Sequence, residues 1–458
     1  MGTAFAFRRL SLLEDAGMKA MPVDRALDNT LALFADPYGF ISSRARRFDS
    51  DVFETRLLMR PTLCMTGAAA AELFYDPGRF QRAGAAPEPL RATLFGKRAV
   101  QTLDGPAHRA RKALFMEALS PPRVAALARG VGVAWQEAAT RWPAAADTQL
   151  YPAAQEVLTR AVCAWAGVPL AEADAPRRTA ELAALYDDAA RGVSAHLHSR
   201  RCRHRAEAWL RGEIERVRAK SSLPAAARPH AWPASRANGA ARPADAGTAG
   251  GASALHAVAL HRDEQGRLLP ARIAAVELLN ILRPTVAVSV FIVFAAHALL
   301  FHPELRRPLI NGDRAYRERF INEVRRYYPF FPAVMAVVRE DFEWKGYLFR
   351  RGRRTLLDLY GTNHDARLWK EPSAFNPDRF IDRPPTPFDF IPQGGGQAQT
   401  GHRCPGEGVA MAAIDATLDF LLTQAHCTAA PHDERIDMRR LPALPRAAML
   451  VRRAAAPA

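Results

Sequence analysis

Residues 271–301, ARIAAVELLNILRPTVAVSVFIVFAAHALLF, are the most apolar stretch of the chain, and the 17 residues from Thr285 to Phe301 carry no formal charge. Such a run must be buried, either in a bilayer, for which it is at the short end, or through the core of a large globular protein. Thr285, Ser289 and His297 inside it, and Arg283-Pro284 at its front, favour the core. The expectation is a long buried helix that Pro284 interrupts and bends, because the ring removes one helical hydrogen bond. With 458 residues, 49% of them hydrophobic, the chain has ample material for such a core, which excludes a wholly disordered protein.

Around this stretch the pattern is mostly helical. Leu27 to Phe34 has helical apolar spacing, DPYGF (36–40) forms a turn, and a helix runs from Gly67 to about Tyr75, stopped by Asp76-Pro77-Gly78. From Pro106 to Lys220 alanine and leucine are dense and prolines fall at plausible helix boundaries; further helices are expected over 313–328 and from about Pro405. Short strand-like runs lie at 54–67, 333–338, 341–349 and 354–360, and a Pro-rich loop at 371–393. The fold class is mainly α with a small β region.

Segment 200–220 is a basic amphipathic helix with Trp209, Ile214 and Val217 on one side, read as a solvated face rather than an anion or membrane patch. In 221–254, 25 of 34 residues are Ala, Gly, Ser or Pro, which is the composition of a flexible insertion within one domain spanning 1–458. Five scattered cysteines without a C-x-x-C pair exclude a disulfide framework, a zinc ribbon and a thioredoxin-type motif. The start does not read as a signal peptide, so the expected location is cytoplasmic. A net charge of +16 leaves an anionic partner open, but no nucleic-acid motif accompanies it.

The segment IPQGGGQAQTGHRCPGEGVAMAAIDATLDFLL (391–422) carries the chemistry. A Gly-rich loop delivers Cys404, and Pro405-Gly406 lead into an apolar helix. Consecutive glycines let a backbone lie flat against a large planar group. A helix start, with His402 and Arg403 beside the cysteine, favours a thiolate. A phosphate loop would need Gly-Lys-Ser/Thr, which is absent. A cysteine nucleophile stays possible, without a local signature. A haem thiolate ligand fits best.

This segment resembles the haem-binding loop of the cytochrome P-450 superfamily, and two motifs in the expected order support the likeness. Glu323-Val324-Arg325-Arg326 matches its Glu-x-x-Arg helix, and Phe375-Asn376-Pro377-Asp378-Arg379-Phe380 matches its Pro-x-Arg-Phe loop. Glu323 and Arg326 share a helix face, and with Arg379 they would form a buried structural triad. The resemblance implies the cytochrome P-450 fold, with haem b between the long central helix and the Cys404 loop. Two departures exclude the ordinary monooxygenase pattern. Gln397 and Thr400 stand where the cysteine loop usually has Phe and Gly, and the central helix reads Asn280-Ile281-Leu282-Arg283-Pro284-Thr285 instead of an acid followed by Thr.

Those departures resemble the bacterial fatty-acid peroxygenases, as do TLCMTG (62–67), RFQR (79–82), TLFGK (93–97), LDGPAHRARK (103–112), RRYYPF (325–330) and LYGTNHDARLW (359–369). The likeness covers about residues 24–451 apart from the insertion. It implies that Cys404 is the axial ligand of the haem iron and that His108, Arg111, Lys112, Gly396 and Arg403 help to hold the haem. Arg283, next to Pro284, would bind the carboxylate of a long-chain fatty acid bidentately. That carboxylate would take a proton from hydrogen peroxide, the co-substrate, and return it to the departing oxygen, work that a protein acid usually does. Fixing the carboxylate exposes Cα and Cβ to oxidation. Phe95 and Phe330 would line the channel for the alkyl chain. Gln101, where alkene-forming members tend to have His, argues for hydroxylation, since an amide delivers no proton.

The expected activity is therefore peroxide-driven α/β-hydroxylation of fatty acids, without an obligatory reductase, integral membrane association or nucleic acid. Rivals are a decarboxylase forming terminal alkenes, a reductase-dependent haem monooxygenase, and a non-catalytic haem sensor or fatty-acid-binding protein.

Overall fold

The computed structural model describes residues 19–142, 146–221, 253–381 and 383–453, which fall into two compact units. All but the ends of the expected 221–254 insertion lie outside the described residues. Ser221 ends one helix, and Ser253 caps the next by accepting the His256 N–H at 3.3 Å.

The first unit comprises the residues up to Pro87 together with Pro329–Phe375 and Arg379–Cys404. Its frame is a five-stranded sheet, ordered in space Val52–Leu57, Arg60–Met65, Arg354–Asp358, Ala333–Val338 and Phe80–Gln81. The first two strands form a hairpin through Leu58 and Met59, both in the left-handed region. The second pairs in parallel with Arg354–Asp358. Buried Val52, Leu63, Met65, Phe80 and Leu357 pack with Phe74 of helix Ala68–Phe74. The expected strand runs at 333–338, 341–349 and 354–360 are present, the middle one as the hairpin Phe342–Trp344 and Tyr347–Phe349. The expected turn at 36–40 closes after Gly39, and Phe40 already opens helix Phe40–Phe48, burying Phe40 and Ile41.

The second unit comprises Glu88–Tyr328, Asn376–Asp378 and the residues after Pro405. It is helical, with helices Gly105–Ala118, Pro121–Arg141, Leu150–Ala166, Ala175–Asp187, Val193–Ser221, Arg314–Tyr327 and Glu407–Thr423. Trp135 stacks on Phe420 with centroids 4.8 Å apart and donates Nε1–H to Thr417 at 2.9 Å, locking two of these helices together. The helix expected to close the chain is followed by strands Ala425–Ala430 and Ala448–Arg453, which pair antiparallel. Short and polar on alternate positions, they gave too weak an apolar alternation to register as strands.

The apolar stretch is the spine of this unit. It forms helix Ala271–Ala287 and helix Ser289–Phe301, and 83% of its most apolar window is buried in protein, as a core helix requires. The interruption expected at Pro284 falls instead at Val288, whose N–H turns back to Thr285 O at 3.2 Å. The helix runs through Pro284, and the next residue, Thr285, donates its hydroxyl to Ile281 O at 2.9 Å.

On helix Val193–Ser221 the buried positions include Cys202, Ala206, Leu210 and Ile214, but also Arg203 and Glu213. Of the expected apolar trio only Ile214 is buried. Trp209 is half-buried beneath the Arg178 guanidinium, 4.4 Å from its ring.

Candidate functional site

In the first unit, the Cys404 loop is shaped by its own backbone. Gly394 N–H bonds Ile391 O at 3.1 Å, Gly396 N–H bonds Pro387 O at 3.0 Å, and Cys404 N–H bonds Gln393 O at 3.3 Å. A Cβ on Gly395 would lie 2.6 Å from Pro387 O and 2.8 Å from Ile391 Cγ2. Gly396 has φ +81°, and a Cβ there would meet Tyr75 Cβ at 3.0 Å. Glycine is thus required twice in succession, by space and by conformation. Gln393 and Tyr75 were not singled out from sequence. Gln393 extends Nε2 to within 4.0 Å of Cys404 Sγ, a donor aimed at the sulfur.

The five cysteines differ in the chemistry open to them. Burial pushes the thiols of Cys64, Cys163, Cys202 and Cys427 above the ordinary cysteine range, to about 12 for Cys163 and about 11 for Cys427. Cys404 is half-exposed on its loop, with His402 and Arg403 preceding it. Among the described residues no group of three His, Cys, Asp or Glu forms a metal cluster. Haem iron can be held by one cysteine sulfur, so a single half-exposed cysteine on a glycine-rich loop would fit that group.

Two parts of the expected triad stand on one helix. Arg314–Tyr327 starts at Asp313, which accepts the Tyr316 N–H at 3.0 Å. Arg326 donates Nε and Nη2 to the two oxygens of Glu323 at 2.7 and 2.8 Å, with both side chains fully buried. Glu323 Oε1 also accepts the Asn376 N–H at 2.8 Å. Arg379 donates to the carbonyls of Lys370, Glu371 and Ala374, fastening its own loop. Phe330 is half-buried, edge-to-face with Phe331, and its carbonyl accepts the Tyr38 hydroxyl at 3.0 Å.

In the second unit, Arg283 is 5% exposed in the middle of the central helix. Asn280 precedes it by three residues and Glu277 by six. Glu277 is fully buried and accepts from three donors: Arg111 Nη1 at 2.5 Å, the Val100 N–H at 3.0 Å and Asn280 Nδ2 at 3.4 Å. Burial raises its carboxyl above the usual range while Arg111 pulls it down. Arg111, expected to help hold the haem, therefore has its Nη1 on the central helix. His108 and Lys112 are buried on the same helix, Gly105–Ala118.

The segment carrying Phe95 and Gln101 is a single π-helical turn, Arg91–Phe95, then Gly96 with φ +91°, then a 3₁₀ turn, Val100–Thr102. Asn280 Nδ2 lies 3.0 Å from Phe95 O and 3.4 Å from Gln101 Oε1. Arg203, 3% exposed, donates Nη1 to Thr93 O at 2.8 Å and Nη2 to Phe95 O at 3.0 Å, and its Nε pairs with Glu207 at 2.6 Å. Phe95 and Gln101 themselves are half-buried.

Sequence reading missed Glu277 and Arg203, and it quoted Asn280 without giving it a task. Glu277 had a usable signal, as the only acidic residue between 271 and 301; a lone carboxylate in so apolar a helix must find a buried cation. Arg203 had none, standing in a run of basic residues.

Comparison with known proteins covers most of the chain. A family profile described as Cytochrome P450 matches residues 312–448. Among curated sequences, a putative cytochrome P450 137 of Mycobacterium tuberculosis is 29% identical over 164 residues, and the match spans about a third of that protein's length, 34%. Solved structures match far more fully. Cytochrome P450SP alpha (CYP152B1) in complex with (R)-ibuprophen is 44% identical, with 93% of this chain and 98% of that one covered and a TM-score of 0.84. Cytochrome P450EX alpha (CYP152N1) with myristic acid is 39% identical over 95% of this chain and all of that one, at 0.85. A variant of cytochrome P450 OleT in complex with arachidonic acid is 29% identical over 96% of this chain, again at 0.85. The helical fold with its small sheets, the Cys404 loop, the Glu323–Arg326 pair and full-length similarity at 44% identity lead to one assignment: the chain belongs to the cytochrome P450 superfamily, in its bacterial fatty-acid peroxygenase family, CYP152.

Proposed function

We propose that this chain is a haem-thiolate oxidoreductase, acting as one catalytic domain, that hydroxylates long-chain fatty acids at the α or β carbon with hydrogen peroxide. The balance is fatty acid plus hydrogen peroxide giving hydroxy acid plus water. The observation that carries the reading is Arg283, a guanidinium buried in the most apolar helix of a chain whose relatives bind myristic and arachidonic acids. A guanidinium at this position can meet a fatty-acid carboxylate through two parallel hydrogen bonds.

When bound, haem would supply the oxidising chemistry, with the Cys404 sulfur as its protein ligand. His108, Lys112, Arg403 and the Gly396 backbone would help to hold it, as would Arg111, whose Nη1 is held by Glu277. Arg283 binds the substrate carboxylate and keeps it ionised, so that one carboxylate oxygen accepts the proton from one peroxide oxygen and delivers it to the other, which leaves as water. Pro284, adjoining Arg283 inside the helix, lacks the N–H that the Asn280 carbonyl would otherwise accept there. Phe95 and Phe330 provide apolar contact for the alkyl chain, worth about 0.8 kcal/mol per buried methylene. Gln101 gives the pocket an amide rather than an imidazolium, which favours hydroxylation over decarboxylation to a terminal alkene. The OleT similarity keeps the alkene route as the alternative outcome of the same reaction. Among the described residues the one helix long and apolar enough to span a bilayer is mostly buried in protein, which supports a soluble enzyme; the proposed enzyme is cytoplasmic and needs no reductase.

Arg283→Ala tests this reading. Losing both charge-assisted hydrogen bonds of a bidentate pair, each about 1.5–3 kcal/mol, predicts a fall in peroxide-driven kcat/KM of roughly 100-fold or more, with haem content unchanged. A haem-loaded variant with undiminished turnover would overturn it.

A further inference from the structure

The π-turn and 3₁₀ turn that carry Phe95 and Gln101 close through bonds of their own, Gly96 N–H to Arg91 O and Thr102 N–H to Ala99 O, both 2.8 Å, but their place in the unit is fixed from outside. Three buried polar side chains from distant elements fasten them. Arg203, from helix Val193–Ser221, spans the carbonyls of Thr93 and Phe95 with the two arms of its guanidinium. Glu277, from the central helix, takes the Val100 N–H and is itself fixed by Arg111. Asn280, one turn further on, offers Nδ2 to Phe95 O, Gln101 Oε1 and Glu277 Oε2, at 3.0, 3.4 and 3.4 Å. That contact turns the Gln101 oxygen toward the helix and sets the direction of its Nε2. Gly96 completes the arrangement, because a Cβ there would fall on the Arg203 guanidinium and on Val276.

From these contacts we infer that Arg203 and Glu277 are positioning residues that set which carbon of the substrate is oxidised, by fixing the two ends of the 93–102 segment. This rests on the proposed roles of Phe95 and Gln101. Neither residue needs to touch the substrate. Arg203 fixes the backbone that points the Phe95 ring, and Glu277 fixes the turn that presents Gln101. A small shift in either wall changes which carbon comes within reach when the carboxylate is held elsewhere. An ammonium has no planar fork to bridge two carbonyls, and an amide lacks the charge that pairs with Arg111.

The test uses the full-length, haem-loaded protein with myristic acid and hydrogen peroxide, comparing Arg203→Lys and Glu277→Gln with the parent. The α-to-β product ratio is expected to move by about threefold or more in each, with kcat and KM changing by different factors. Glu181→Gln, in a part-buried ion pair with Arg178 in the same unit, should leave the ratio unchanged. Should Glu277→Gln not fold, the double variant Glu277→Met/Arg111→Met removes both charges together and serves in its place.

Hydrogen exchange reads the same inference without turnover. The Gly96 amide should exchange about tenfold faster in Arg203→Lys and the Val100 amide about tenfold faster in Glu277→Gln, the factor expected for losing one such hydrogen bond. Unchanged product ratio together with unchanged exchange would overturn the inference, and so would an equal shift in Glu181→Gln. If the parent makes no hydroxy acid, the proposed function fails, while the exchange result still decides whether the segment is clamped.

Discussion

The Cys404 loop and the 91–102 segment are both irregular stretches with proposed contacts to haem or substrate, yet they are held in opposite ways. The Cys404 loop is shaped by contacts within a dozen residues: Gly394 to Ile391, Gly396 to Pro387, Cys404 to Gln393. The 91–102 segment closes its two turns locally but is fixed in place by Arg203 and Glu277, whose bonds span 110 and 177 residues of sequence. A locally closed loop is specified by a motif, so it can be read in a sequence. A segment fastened from afar is specified by whichever buried charges reach it, and those leave little trace in the residues around it.

The difference can be tested first by its largest consequence. Cys404→Ala should abolish peroxide-driven oxidation and the thiolate-type ferrous–carbon monoxide spectrum while the protein remains folded, because it removes the proposed ligand sulfur from a half-exposed position. Retention of that spectrum would mean that another residue is the ligand.

Next come two buried titrating groups, one in each unit, with opposite pH responses. In the unit of the Cys404 loop, Asp358 is buried and raised to about 7, though it accepts the Gly361 N–H at 2.7 Å. Its folded pKa is above the unfolded one, so the stability linked to it is complete below the ordinary 3.8 and is lost as pH rises toward 7, by roughly 4 kcal/mol. In the other unit, His297 bonds Tyr328 through Nδ1 and donates Nε2–H to Glu434 O, and burial lowers it to about 4. Its stability is complete above 6.5 and is lost as pH falls toward 4, by roughly 3 kcal/mol. Thermal melts of Asp358→Asn and His297→Gln across pH 4–7.5 should flatten these two trends in opposite directions. Parallel curves for both variants and the parent would show that neither group controls acid stability.

Substitution of the glycines sharpens the contrast at smaller scale. Gly395→Ala drives a Cβ into the Pro387 carbonyl and should cost about 1–3 kcal/mol in a melt, with loss of haem retention. Gly96→Ala should cost a similar amount, but its neighbour is the end of a side chain. A double-mutant cycle with Arg203→Lys should therefore show coupling of about 0.5–3 kcal/mol, whereas Gly395→Ala should add independently of Arg203→Lys.

Much of the architecture was legible in advance for the same reason that the Cys404 loop was. The 271–301 stretch announced a buried helix by its apolar composition, and the strands at 333–358 by short strand-like runs. The Glu323–Arg326 pair lies three residues apart, so its bidentate geometry follows from helical spacing. The break at Val288 rather than Pro284 was not legible, because packing around a buried helix, not proline chemistry alone, decides where it yields. Nor was the pairing of Arg111 with Glu277, since sequence offers several cations near the haem motif and does not say which one the lone carboxylate captures. The terminal strands were missed because alternate positions are small or polar.

The most direct measurement is product analysis by mass spectrometry after mixing the purified, haem-loaded protein with myristic acid and hydrogen peroxide, with no reductase present. The account predicts 2- or 3-hydroxymyristic acid as the main product. A terminal alkene as the main product would contradict the role given to Gln101, and no product without a reductase and its electron donor would contradict the peroxygenase itself.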